Sequence, residues 1–294
     1  MRLWILIALL CGAFVLTACQ PTRVLNTVVP SGSYNRLADV PYATDSRQQM
    51  DIYIPSQKPL RENIIVFVYG GAWDQGDKNE FEFVGQAFAR LGYVTVIPNY
   101  RLYPDVEFPQ FIDDIAKAIA ALPEHLNEPC PSPDNLILMG HSAGAHSVAM
   151  LVADPRYFDE FVPFSPTVHA LIGMSGPYDL PLEHERVKDK FTTVEGDEAN
   201  PVALAHENMP RTLLLHGGSD TIAAPEHTEK FAARLAELNV PVETRMYERA
   251  RHVALVASLA SPLRFWTPAY NDIQEFFELH QLNEICTPES DITN

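Results

Sequence analysis

Basic residues are scarce in this chain. Lysine and arginine total 21 against 38 aspartates and glutamates, which gives a formal net charge of −17 at pH 7. An acidic surface of this kind repels nucleic-acid phosphates, and no basic cluster offsets it. The composition therefore excludes a nucleic-acid partner and disfavours strongly anionic substrates. Hydrophobic residues make up 47% of the chain, as in an ordinary globular protein.

Internal repeats and low-complexity segments are also missing, and so is an apolar run long enough to predict a transmembrane helix. The apolar run at residues 3–16 is shorter than the ~20 residues that a helix needs to cross a bilayer. Because it follows Arg2, it is typical of a secretory signal peptide. We therefore expect residues 1–18 to be a signal peptide.

The end of that segment, LTAC at residues 16–19, resembles the bacterial lipobox. The resemblance implies that Cys19 is lipidated and becomes the mature N-terminus, with residues 19–36 as a tether. Gln20, in place of an aspartate, implies onward transport to the outer membrane. We therefore expect an exported protein, anchored in the bacterial envelope and facing the periplasm. The alternative is an ordinary signal peptide cleaved near Ala18.

Cysteines number only four, which is too few for a disulfide-rich scaffold. Cys11 falls in the signal peptide and Cys19 at its end, so Cys130 and Cys286 remain in the body of the chain. In an oxidising compartment two such cysteines indicate one disulfide, and two separate free thiols are the alternative.

Short apolar runs alternate with segments of helical spacing from residue 63 onward. This alternation predicts an α/β fold, with a mostly parallel sheet of about eight strands and helices on both faces. Two strands at residues 36–43 and 48–55 come first and predict an antiparallel hairpin. A single domain over residues 37–294, with no large cap domain, accounts for the pattern, and the loop at 177–210 has room for a short helix or a small lid. The remaining predicted strands are 63–70, 93–100, 135–140, 168–176, 211–218 and 242–248, and the predicted helices are 79–92, 108–122, 143–154, 227–238 and 271–282.

The stretch GHSAG at residues 140–144 lies between an apolar run and a helical segment. Ligands bind such sheets at the carboxyl ends of the strands. A G-x-S-x-G pattern at that position is typical of a nucleophilic serine on a sharp turn, where small residues are needed two positions to either side. We therefore predict Ser142 as a nucleophile, with a purely structural glycine turn as the alternative.

Two later strand ends supply partners for a serine. In this architecture the chain order is serine, acid, histidine. Asp220 follows the last predicted strand but one, and His252 follows the last. Together with Ser142 they predict a triad in which the histidine is the base and the aspartate orients it. Asp179 is the competing acid and His227 the competing base.

A glycine-rich loop, GGAW at residues 70–73, follows the strand at 63–70. Its backbone N–H groups can stabilise the oxyanion that forms when a serine attacks an acyl group. His141 and His146 lie near Ser142, but they are five positions apart and do not share a helix face as paired metal ligands do. No H-E-x-x-H motif or carboxylate cluster accompanies them, so we predict no metal or cofactor and packing roles for both.

These motifs resemble the α/β-hydrolase esterases and lipases, the group that includes hormone-sensitive lipase-like carboxylesterases, over roughly residues 37–283. YGGAW resembles the group's H-G-G-G-W, and NYRLYPDVEFP resembles its Y-R-L-x-P-E-x-x-F-P. GHSAGAH and SGPYDL are similar to arylformamidases. The resemblance implies catalytic Ser142, Asp220 and His252, with oxyanion donors on Gly71, Ala72 and Ala143.

Two departures from this group bear on the site. Tyr69 stands where the group usually has the histidine that holds the oxyanion loop, and only a tether precedes the first strands, so the N-terminal helical cap is missing. We expect an open site suited to esters of short or medium acyl groups. The main hypothesis is a serine esterase that acts on small-molecule esters. The alternatives are an amide hydrolase of the arylformamidase type and a non-catalytic surface binding protein on the same scaffold.

Overall fold

The computed structural model describes residues 25–26, 30–126 and 130–286. The expected signal peptide, Cys19 and the first part of the expected tether lie outside the described residues. Within the described ranges, no helix has the length and apolar character that a membrane crossing requires.

The described residues form one eight-stranded sheet in the order β1-β2-β4-β3-β5-β6-β7-β8. The strands β1 and β2 pair antiparallel, β2 also pairs antiparallel with β4, and every other neighbouring pair is parallel. The predicted hairpin and the predicted, mostly parallel sheet are therefore confirmed. The strands are β1 (Tyr34–Pro41), β2 (Gln49–Pro55), β3 (Ile64–Val68), β4 (Thr95–Pro98), β5 (Asn135–His141), β6 (Thr167–Met174), β7 (Arg211–Gly217) and β8 (Val242–Tyr247).

The helices in the described residues cover the two faces of this sheet. On one face α1 packs against α9, where Phe88 contacts Tyr270 and Phe277. On the other face α2, α4, α6 and α7 contact one another in succession. The helices are α1 (Glu82–Ala89), α2 (Gln110–Ala120), α3 (Leu122–His125), α4 (Ala143–Ala153), α5 (Arg156–Phe161), α6 (Pro201–Leu204), α7 (Glu226–Glu237), α8 (His252–Ala257) and α9 (Ala269–Leu279).

The burial of each strand follows from its place in the sheet. All five residues of β3 are buried, because a central strand with helices over both faces excludes water from both. Edge strand β8, VETRMY, has only half-buried and exposed residues, and the two kinds alternate from Glu243 onward. The continuous apolar runs of the sequence therefore mark the centre of the sheet, where the core lies.

Helix α1 is shorter than the predicted helix at 79–92. It ends at Ala89, three residues before Gly92, whose φ of +93° is a left-handed conformation that glycine adopts without strain. The N–H of Tyr93 donates to the carbonyl of Phe88 and the N–H of Gly92 to that of Ala89, which closes the helix. Its start is later than predicted, because Lys78–Glu80 form a separate 3-10 turn instead.

The long loop at 177–210 contains a 3-10 turn at Lys188–Lys190 and the short helix α6. Its Lys190 pairs with Asp74 at 2.7 Å, and its Phe191 packs edge-on against Trp73 with 4.9 Å between ring centroids. Asp74 and Trp73 belong to the loop that follows β3. The long loop therefore lies over the carboxyl ends of the strands.

A disulfide joins Cys130 to Cys286 across 156 residues of sequence. The bond ties the loop before β5 to the end of the described chain. Next to it, Arg61 and Ile285 form an isolated antiparallel bridge, so the same C-terminal segment is also held by the backbone.

We expect loss of this disulfide to destabilise the fold without dismantling the site. Removing a native disulfide costs about 2–5 kcal/mol, and longer closed loops lie toward the upper end. Urea-induced unfolding of a Cys130→Ser, Cys286→Ser double variant should show a lower midpoint than the wild type. Reduced wild-type protein serves as the control, because it should match the double variant. An unchanged midpoint in both would contradict the expectation.

Candidate active site

Ser142 lies in the sharp turn between β5 and α4. Its φ of 56° and ψ of −125° are unusual for a residue with a side chain, and its N–H donates to the carbonyl of Met174 at 2.8 Å. A β-carbon at Gly140 would lie 2.3 Å from the carbonyl oxygen of Gly144, and one at Gly144 would lie 2.1 Å from that of Val68. Both glycines are therefore required by close backbone contacts, as the sequence pattern predicted.

The three side chains that the sequence singled out lie in one hydrogen-bonded line. His252 Nε2 is 2.8 Å from Ser142 Oγ, and His252 Nδ1 is 2.7 Å from Asp220 Oδ2. Ser142 follows β5, Asp220 follows β7, and His252 begins α8 after β8. Parallel strands end at the same edge of the sheet, which brings together residues that are 110 positions apart in the chain.

The carboxylate of Asp220 is buried and fully hydrogen-bonded. Its Oδ1 accepts from the N–H groups of Ile222 and Ala223, and its Oδ2 is 3.5 Å from His216 Nε2. Burial alone would raise the pKa of Asp220, but the contacts with His216 and His252 outweigh it and hold that pKa well below its ordinary range. Asp220 is therefore ionised and acts as an acceptor toward His252.

The competing acid and base lie elsewhere. The carboxylate of Asp179 accepts from Asn200 at 2.9 Å and pairs with Lys230. The N–H of Asp179 donates to His227 Nδ1 at 3.3 Å, so these two rivals contact each other rather than Ser142. The structure does not bring either of them into the line formed by Ser142, His252 and Asp220.

His141 and His146 each hydrogen-bond a backbone carbonyl. His141 Nε2 is 3.0 Å from the carbonyl oxygen of His252, and His146 Nε2 is 2.9 Å from that of Ala199. Burial, reinforced by the charge of the neighbouring His252, lowers the pKa of His141 to about 3, and burial lowers that of His146 to about 4. Both are therefore neutral donors that fix nearby backbone. Across the described ranges, no group of three histidine, cysteine or acidic side chains is arranged to hold a metal ion.

The loop after β3 has three successive residues with positive φ, namely Gly71 at 135°, Ala72 at 50° and Trp73 at 60°. The carbonyl of Gly71 accepts from the N–H groups of Asp74 and Gln75, which closes the loop into a tight turn. Positive φ at two residues with side chains costs of the order of 1–3 kcal/mol each, so the surrounding contacts must hold this shape.

Tyr69 and Arg47 supply those contacts. The hydroxyl of Tyr69 donates to Asn99 Oδ1 at 2.6 Å and accepts from Arg47 Nη2 at 3.0 Å. Arg47 also donates to the carbonyls of Gly76 and Tyr100. Tyr69 thus anchors the loop through its hydroxyl, although the resemblance leads one to expect a histidine. Sequence reasoning missed Arg47, since nothing in the run DSRQQ marks it as a partner of a loop more than 20 residues away.

Asp114 and Arg101 hold the segment after β4. The carboxylate of Asp114 accepts from Arg101 Nε at 2.8 Å and from Arg101 Nη2 at 2.7 Å, and it also accepts from Gln48. Asp114, which is buried, and Arg101, which is partly exposed, therefore form a bidentate ion pair that holds this segment.

Two cavities flank Ser142. The inner cavity has a volume of about 340 Å³ and the side cavity about 250 Å³, and Ala72, Ser142 and Arg186 line both. Gly71 lines the side cavity and Ala143 the inner cavity, so the three predicted oxyanion donors surround the serine. Trp73 is buried and also lines the inner cavity. The other residues lining the inner cavity are Pro177, Leu180, Pro181, His184, Val187, Thr221, Ile222, Ala223, Ala224 and His227.

Known proteins of similar fold and sequence are esterases. The probable isoprenylcysteine alpha-carbonyl methylesterase ICMEL1 of Arabidopsis thaliana is 26% identical over 81% of this chain and 53% of its own length. The esterase LipQ of Mycobacterium tuberculosis is 27% identical over 75% of this chain and 58% of its own length. The chain thus spans little more than half the length of these relatives.

A solved structure of esterase B from Lactobacillus rhamnosis superposes with a TM-score of 0.72 at 18% identity, covering 94% of this chain and 96% of that one. This likeness and the sheet order identify the α/β-hydrolase fold, as the motifs implied. The family model named BD-FAE matches residues 50–235, which is well over half of the chain and includes Ser142 and Asp220. The chain therefore belongs to the BD-FAE family.

Proposed function

We propose that this protein hydrolyses carboxylic esters through an acyl-enzyme formed on Ser142. The observation that carries the proposal is the line from Ser142 through His252 to Asp220, with distances of 2.8 and 2.7 Å. A nucleophile within hydrogen-bond reach of a base, and a base oriented by an acid, is the arrangement that acyl transfer requires. The esterase names of the sequence relatives support the same reaction type.

The direction of proton transfer follows from the charge of Asp220. Because this carboxylate is ionised, it accepts from His252 Nδ1–H, and the lone pair of His252 faces Ser142 Oγ. His252 takes the proton as Ser142 attacks the acyl carbonyl, and then returns it to the leaving alcohol. Water, deprotonated by the same histidine, attacks the acyl-enzyme and releases the acid.

The negative charge that develops on the carbonyl oxygen needs fixed donors. We assign this role to the backbone N–H groups of Gly71, Ala72 and Ala143, which border the cavities that contain Ser142. Ala143 is the first residue of α4, where the helix dipole favours negative charge. The tight turn at Gly71 keeps these donors oriented before substrate arrives, which is the source of their effect on the rate.

We expect a fluorophosphonate probe to label the wild-type protein at one residue and to leave Ser142→Ala unlabelled. The same substitution should abolish hydrolysis of 4-nitrophenyl acetate, because it removes the attacking oxygen. Ser219→Ala is a matched control beside Asp220 and should keep both labelling and turnover. Equal labelling of wild type and Ser142→Ala would contradict the proposal, and folded wild-type protein without turnover on any ester would favour the binding-protein alternative.

A matched pair of substitutions in the same assay tests whether Asp220 is the acid that orients His252. Asp220→Asn should lower kcat by about 10³-fold to 10⁴-fold, since an amide cannot hold His252 in the required tautomer. Asp179→Asn, at the end of the preceding strand, should change kcat by less than about threefold, as expected for surface changes away from the chemistry. A larger loss in Asp179→Asn than in Asp220→Asn would reverse the assignment.

We propose esters of short or medium acyl groups as substrates, because the two cavities beside Ser142 are small, at about 340 and 250 Å³. With 4-nitrophenyl esters of increasing chain length, kcat/KM should be highest for chains of up to about eight carbons. It should fall about tenfold by sixteen carbons, since cavities of ~300 Å³ are at the lower end for ligand sites. An undiminished rate on the longest ester would contradict this.

We also propose that the chain is exported and lipid-anchored at Cys19. The LTAC sequence supports this, as does the disulfide, a bond typical of oxidising compartments. In a bacterial host the full chain should partition into the detergent phase of Triton X-114, and Cys19→Ser should stay in the aqueous phase. Gln20→Asp, the control, should keep the lipid but remain in the inner membrane. Equal partitioning of wild type and Cys19→Ser would exclude the anchor.

A further inference from the structure

The cavities around Ser142 and His252 carry a charge opposite to that of the whole chain. Arg186 lines both the inner and the side cavity. A third, outer cavity of about 660 Å³ lies over His252 and is lined by Arg249 and Arg251. Among the described residues that line these three cavities there is no aspartate or glutamate. In a chain of net charge −17, the charged acid-or-base side chains that line these cavities are thus arginines, and we call this lining the positive edge.

These three arginines also lack partners of their own. Some cationic side chains elsewhere are paired, as Lys78 is with Asp51 and Arg101 is with Asp114. Within the described residues, the guanidinium groups of Arg186, Arg249 and Arg251 form no hydrogen bond or ion pair. All three are exposed, so their donors are accessible to a ligand.

The position of Arg186 is the most informative. Two of its neighbours in sequence, Glu183 and Glu185, line none of the three cavities. The inner and side cavities meet at Ser142 and share Arg186 and Ile222. A guanidinium presents N–H donors in a planar fork that matches the two oxygens of a carboxylate.

We propose that the substrates are esters that carry a carboxylate, and that Arg186 binds that carboxylate; this rests on the proposed ester hydrolysis at Ser142. Since Arg186 borders the cavities on both sides of the serine, it is the specificity-determining residue whether the carboxylate belongs to the acyl part or to the alcohol part. Arg249 and Arg251 attract the anion to the outer cavity before it reaches Ser142.

Two pairs of esters test the proposal and locate the carboxylate. Monoethyl succinate against ethyl butanoate places a carboxylate on the acyl side, and 3-acetoxypropanoate against propyl acetate places it on the alcohol side. For at least one pair, the anionic ester should have the higher kcat/KM in wild-type protein at low salt. Arg186→Gln should lower kcat/KM for that ester about tenfold more than for its neutral partner, as expected for loss of a charge-assisted hydrogen bond.

Further variants separate binding from long-range attraction. Arg186→Lys keeps the charge but loses the planar fork, so it should fall between wild type and Arg186→Gln. Arg249→Gln with Arg251→Gln should weaken the salt dependence of kcat/KM for the anionic ester, since screening acts on such exposed charges and only that of Arg186 is left. Arg234→Gln changes a half-buried arginine on α7 that lines none of these cavities. It removes the same charge and should leave both esters unchanged.

Three results would overturn the proposal. Neutral esters cleaved faster than both anionic ones, or a loss in Arg186→Gln that is equal for both members of a pair, would exclude carboxylate binding while leaving ester hydrolysis intact. If folded wild-type protein hydrolyses no ester at all, both the proposed function and this inference are wrong. An arginine effect seen only with esters in phosphatidylglycerol vesicles, and not in phosphatidylcholine vesicles or solution, would assign the positive edge to a membrane surface instead.

Discussion

The site depends on the close approach of three backbone segments around Ser142. A β-carbon at Gly144 would lie 2.1 Å from the carbonyl oxygen of Val68, and one at Gly70 would lie 2.7 Å from the β-carbon of Ser142. The end of β3, the turn after β5 and the first turn of α4 are thus in direct contact, and none of them can shift without displacing the serine. The positive φ angles at Ala72, Trp73 and Ser142 are the energetic cost of this arrangement. This cost is offset by the burial of residues in β3 and β5, the strands that precede the turns.

The histidines near this contact have different roles. His141 is neutral because it is buried, and it donates to the backbone of His252 without placing a second positive charge beside it. A charged neighbour would disfavour the imidazolium that His252 must become during acyl transfer. Asp220 stays ionised because its hydrogen bonds outweigh its burial, so the negative charge lies on the side of His252 away from Ser142. His252 therefore has both a carboxylate and a serine as neighbours, whereas His141 and His146 hydrogen-bond the backbone.

The sequence predicts the parts of this structure that depend on local pattern. Central strands such as β3 are recognisable because both faces are buried, and Ser142, Asp220 and His252 are recognisable because each follows a strand in a fixed order. The side chains that hold the loops around the site cannot be recognised in this way. Arg47 reaches Tyr69 from the turn between β1 and β2, and Lys190 reaches Asp74 from a distant loop. Such contacts depend on where folded segments meet, and no period or motif encodes that. The late start of α1 has the same origin, because Asp77 caps a 3-10 turn that propensity alone does not distinguish from the helix.

The acidic composition is compatible with the anionic substrates proposed above for a related physical reason. A net charge of −17 describes the average surface, but at physiological salt the interaction of exposed charges is largely screened beyond about 8 Å. A ligand at Ser142 therefore responds to the side chains that line the cavities, and the charged ones there are arginines. The distant carboxylates still keep the protein soluble and repel polyanions that approach the remaining surface. These distant carboxylates do not oppose an anion that has already entered the cavities, because the arginines that line the cavities are then only a few ångströms from it. Overall acidity and a locally positive site are thus compatible, and the local charges decide which small molecules bind.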